Sequence, residues 1–120
     1  MEAQTKTQQD SINYVFFKEV YDGNLEQVKY YIENQQIAKE YYTNNQIAYQ
    51  LIANAALSHN EELLDYLIAK GVKIDLTDRS GEVGLHITAW KGDLEACKML
   101  IERGADVEAF YNANGGLTPI

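Results

Sequence analysis

The chain has 120 residues, a net charge of −8 and a single cysteine, Cys97. That length suits one domain. No apolar run approaches the roughly 18 residues of a membrane span, and the polar opening MEAQTKTQQDS lacks the apolar core of a signal peptide. An acidic balance argues against nucleic acid, whose phosphates need clustered Lys and Arg. It favours a basic or mixed-charge protein partner, although solubility alone also explains it. One cysteine cannot staple the fold and points to a reducing compartment.

Along the chain the pattern is one of helix pairs. Residues 1–9 read as a polar tail. Asp10 or Ser11 can cap a helix that starts near Ile12, with Ile12, Val15, Phe16, Glu19 and Val20 on its mostly apolar stripe. Asp22-Gly23-Asn24 ends that helix in a turn. Leu25, Val28, Tyr31 and Ile32 follow at helical spacing and form the second helix. Residues 34–45, with Tyr41 and Tyr42, read as a connection of uncertain register. A second pair is expected over about 46–58 and 61–69, stopped by Gly71. A third is expected over about 84–91 and 94–103, stopped by Gly104. Residues 110–116, FYNANGG, read as a polar, glycine-rich connection.

The pairs repeat. A shift of 33 residues places Leu100-Ile101-Glu102-Arg103-Gly104 on Leu67-Ile68-Ala69-Lys70-Gly71. A shift of 69 residues places Gly92-Asp93-Leu94-Glu95 on Gly23-Asn24-Leu25-Glu26. Copies at this spacing mean a stacked array, in which neighbouring units bury the flanks that each cannot bury alone.

Leu85-His86, Ala89, Gly92-Asp93, Leu100-Ile101 and Gly104-Ala105-Asp106-Val107 resemble the ankyrin repeat, with its G-x-T-P-L-H-x-A-A-x-x-G-H opening and G-A-D-V-N close. Gly116-Leu117-Thr118-Pro119-Ile120 looks like the opening of a further copy, as expected of a fragment of a longer protein; the alternative is a tail that covers the third copy. Copies then fall at about 10–35, 44–71, 77–104 and 110 onward, within one domain over 1–120. The sequence departs from the family pattern in three places. Val83-Gly84 stands for Thr-Pro, Ala53 for the histidine of the second copy, and Glu108 for the usual asparagine. Lys18, Glu19, Gln27, Lys29 and Glu33 suit the first copy to the role of a polar end cap.

The resemblance implies an all-α solenoid of stacked helix pairs that binds another protein through its concave face and loop tips. The position after Ala-Ala lies on that face, which places Trp90, Leu57 and Tyr21 in one stripe. Lys91, Ser58 and Asp22 occupy the next position. Arg79 and Glu82 would flank the stripe with Thr77 and Ser80, and Phe110 and Tyr111 would extend it. Apolar stripes of this kind mark contact sites. The alternative is that the three side chains bend inward and pack. Tyr41 and Tyr42 would extend the face or cover the edge of the core.

Catalytic readings fare poorly. His86 occupies the position of the family's structural histidine, and His59 stands where a glycine is usual. These two histidines have no metal-ligand spacing. Cys97 shares a core register with Val28 and Leu64 and reads as a buried, inert thiol. Glu61, Glu62 and Glu95 favour the dipole at helix starts. Gly115-Gly116 lacks the Gly-Lys-Ser/Thr of a phosphate loop. The expectation is therefore a monomeric, cytoplasmic binding module with no catalytic residue, cofactor or metal. The alternatives are a substrate-positioning segment of a larger enzyme or of a bacterial effector delivered into a host cell, and an acidic inhibitor or immunity protein.

Overall fold

The computed structural model describes residues 6–74 and 83–105, the side chain of Asn45 excepted. Every element in these residues is a helix: α1 Lys6–Tyr21, α2 Leu25–Glu33, α3 Lys39–Tyr42, α4 Asn45–Leu57, α5 Glu61–Ala69, α6 Gly84–Trp90 and α7 Leu94–Glu102. They form three pairs, α1 with α2, α4 with α5, and α6 with α7. The first helices stack on one another in the order α1, α4, α6, and α4 also packs on α7. The expected repeat at 110 onward lies outside the described residues.

The core runs through the stack as one cluster. Phe16 and Val20 of α1, Val28 of α2, Leu51, Ile52, Ala55 and Ala56 of α4, and Leu63, Leu64 and Leu67 of α5 are all fully buried. Small residues let the first helices approach. Gly84 is the extreme case, since a Cβ there would meet Tyr49 O at 3.0 Å and Ile52 Cγ2 at 3.2 Å. The residue that departs from the family's Thr-Pro opening is thus a contact point between α6 and α4. Without the hydroxyl, α6 is closed by His86 instead. Its Nδ1 accepts the Val83 N–H at 2.9 Å, and the ring is buried, as a structural histidine should be.

The turn between the helices of a pair needs a residue at positive φ. Gly23 and Gly92 supply it at no steric cost, with φ of 76° and 70°. His59 takes the same turn at φ 61°, where a side chain is strained. The second helix then starts from a side-chain cap. Asn60 Oδ1 accepts Leu63 N–H at 3.1 Å, and Asp93 Oδ1 accepts Ala96 N–H at 3.0 Å. Asn24 makes no such bond, and its Nδ2 donates to Glu19 Oε2 at 2.6 Å. Gly71 and Gly104 follow α5 and α7 at the expected stops.

The turns also join one pair to the next. Asn60 Nδ2 donates to Gly23 O at 2.9 Å, and His59 Nε2 lies 2.7 Å from Asp93 Oδ2. Further along the second helices, Arg103 reaches Asp65 Oδ1 at 2.7 Å and Glu61 Oε1 at 3.1 Å, while donating to Met99 O at 3.1 Å. Both carboxylates hold the guanidinium pKa above its ordinary value, Asp65 foremost.

Several expectations are corrected. The first helix extends back to Lys6, so Asp10 and Ser11 lie within it and cap nothing. Gln9 supports the extra turn by donating to Asn13 Oδ1 at 2.9 Å and to Gln36 O at 3.2 Å. The connection over 34–45 contains the short helix α3, and Tyr42 is core, its ring 6.5 Å from Phe16. Cys97 is half-buried, and its thiol donates to Thr88 Oγ1 at 3.2 Å. Val28 and Leu64, at the same register, are fully buried between described pairs, whereas Cys97 stands on the last of them.

Candidate protein-binding face

On the first helices α1, α4 and α6, two of the three stripe positions are exposed. Trp90 is 65% exposed and Tyr21 is 52% exposed, each on the last turn of its helix. Neither bends into the core. Leu57, at the same register in α4, is half-buried and packs against the core cluster. It sits in the middle pair, so neighbours on both sides cover it. Lys91 and Asp22 are exposed beside the two aromatics, and Ser58 is half-buried. Ser58 Oγ donates to Ala55 O at 2.6 Å, which ties that hydroxyl to its own helix. Arg79, Glu82 and Phe110 lie outside the described residues, as do Thr77, Ser80 and Tyr111.

Trp90 stands against His86, with ring centroids 5.9 Å apart. Because His86 is buried and bonded to Val83, it gives the indole a fixed wall to lean on. Ordering Trp90 on contact therefore costs little side-chain freedom. Lys18 Nζ is bound to Asp22 Oδ2 at 2.6 Å, one turn apart on α1. Its pKa is raised, chiefly by that hydrogen bond and then by the carboxylate charge.

The family now follows from a direct match. A family model described as ankyrin repeats (many copies) matches residues 52–101, which run from within α4 nearly to the end of α7. That segment consists of ankyrin repeats. The first pair, α1 and α2, precedes the matched segment and joins the array by packing α1 on α4 and by the Asn60 to Gly23 bond. Comparison with curated proteins and with solved structures returned no match.

Ankyrin repeats are generally protein-interaction modules, and the family is typically non-catalytic. Among the described residues, no cluster of His, Cys, Asp and Glu could hold a metal ion, and no helix is long and apolar enough to cross a membrane.

Several hollows mark the surface of the repeats. One, of about 720 Å³, lies beside the ends of α2 and α5 and is lined by Glu33, Lys39, Tyr42 and Lys70. Another, of about 510 Å³, lies between α1, Tyr41 of α3 and Gln50 of α4, with Tyr14 and Phe17 also on its walls. It shares α1 with Tyr21, so it continues the exposed stripe. The sequence reading missed Tyr14, which is 71% exposed. Its signal was present in the spacing of Tyr14, Phe17 and Tyr21, which places three aromatics on one side of α1.

Proposed function

We propose that this protein binds another protein through the face formed by α1, α4 and α6. The observation that supports the reading is the exposure of Trp90 and Tyr21 at equivalent positions of two different pairs. Large aromatics held on a rigid scaffold dominate binding energy when a partner covers them. The scaffold is tied across the pairs at its turns by the Asn60 and His59 contacts, so little backbone ordering is needed on binding. A net charge of −8 steers a basic partner toward the protein.

The face can be tested without knowing the partner. A photo-crosslinking amino acid is placed at Trp90, at Tyr21, or at the exposed Glu62 on α5 in cells that express the protein. The reading expects the same crosslinked species from positions 90 and 21, and none from 62. Crosslinking from 62 alone would reject it.

A further inference from the structure

We propose that the hollow between α1 and α4 receives one lysine or arginine side chain of the partner. The inference rests on the reading of the α1, α4 and α6 face as the binding face.

Three aromatic rings line this hollow of about 510 Å³, together with Asp10, Asn13 and Gln50. Tyr14 presents its ring to solvent, while Phe17 and Tyr41 are half-buried against the core cluster. Ring faces attract a cation, and apolar walls suit the methylene stem of a long basic side chain. Asp10, exposed on α1, supplies the negative charge. Its field reaches the Tyr41 hydroxyl. Burial foremost, and Asp10 after it, push that phenol above its ordinary value. Tyr41 therefore remains a neutral phenol that can accept from an ammonium.

The other polar groups agree in sign. Gln50 commits its amide nitrogen to Gln46 O and the Tyr49 hydroxyl, both at 3.2 Å, which leaves its carbonyl oxygen as the acceptor. Lys18 is the one cation on the wall among the described residues, and its ammonium is drawn along α1 to Asp22 at 2.6 Å. An acidic side chain would meet Asp10 and the protein's net charge of −8. A neutral apolar side chain would leave the ring faces and Asp10 without a counterpart.

The test uses the full chain and the peptide Ac-Ala-Ala-Lys-Ala-Ala-NH2, with norleucine in place of lysine as the neutral control. Ring resonances of Tyr14, Phe17 and Tyr41 are followed by NMR during titration. The lysine peptide should shift these rings saturably and bind about five-fold more tightly than the norleucine peptide. Asp10→Asn and Tyr14→Ala should each weaken it by about five-fold, with helical circular dichroism unchanged, since both residues are exposed. Equal binding of the two peptides, shifts confined to other residues, or no saturable shift would overturn the proposal. Trp90→Ala separates this from the parent reading. Failure of the peptide with a partner still sensitive to Trp90 removes the cation pocket alone. A partner indifferent to Trp90 removes the binding face itself.

Discussion

His59 Nε2 lies 2.7 Å from Asp93 Oδ2, and this contact joins the turn of the second pair to the start of α7 in the third. His59 holds its turn at φ 61°, where Gly23 and Gly92 hold theirs without a side chain. The bridge to Asp93 thus accompanies a strained backbone. A left-handed residue with a Cβ costs about 1 kcal/mol or more. A partly exposed side-chain hydrogen bond returns about 0.5–1.5 kcal/mol. The two effects oppose each other and can be separated by substitution.

His59→Gly removes both the strain and the bridge, whereas His59→Ala removes only the bridge. The glycine variant should therefore be more stable than the alanine variant by about 1 kcal/mol in urea denaturation at neutral pH. An alanine variant equal to or above the glycine variant would show that position 59 carries no strain.

Asp93 gives the protein an acid-sensitive link. Its pKa is held below the ordinary value of 3.8, first by the Ala96 N–H and then by His59. A depressed folded-state value means stability that is present above the unfolded value and is lost as pH falls through the folded one. The loss should fall below about pH 3.8. Asp93→Asn keeps an acceptor for Ala96 and cannot titrate. The fall in melting temperature between pH 4 and pH 2 should be smaller in this variant than in the natural protein. An unchanged fall would remove Asp93 from the acid response.

Gly84 should resist enlargement although it lies in a helix. Alanine is the better helix former by about 1 kcal/mol. Its Cβ, however, would stand 3.0 Å from Tyr49 O and 3.2 Å from Ile52 Cγ2, and the backbone oxygen cannot turn aside as a side chain would. Overpacking of this kind costs about 1–3 kcal/mol. Gly84→Ala should thus lower stability despite its helix propensity, as read by thermal denaturation. A rise in melting temperature would mean that α6 and α4 are packed less closely than described.

Most of the fold was legible because the repeat fixes the turns. Gly23, Gly71, Gly92 and Gly104 mark the ends of the helices, and α4, α5, α6 and α7 fall within one residue of their expected bounds. The start of α1 and the whole of α3 were not legible. Neither belongs to the periodic part, and each is settled by contacts such as Gln9 to Gln36 O and Tyr42 to Phe16. The site was legible in part. Register alone placed Trp90, Leu57 and Tyr21 in line, but burial depends on position in the stack, so the middle residue, Leu57, is partly covered. Pairings such as His59 with Asp93 and Arg103 with Asp65 span neighbouring repeats, and stacking must be known before they can be read.

The central claim is that Trp90 works in binding and not in folding. The measurement is the melting temperature of Trp90→Ala beside its affinity for the partner recovered by crosslinking. With Trp90 at 65% exposure, truncation should change stability by no more than about 0.5 kcal/mol. It should weaken binding by about 2 kcal/mol, the scale of an interface hot spot and roughly thirty-fold in Kd. A stability loss of about 3–5 kcal/mol, the cost of truncating a core tryptophan, would contradict the account, as would an affinity left unchanged.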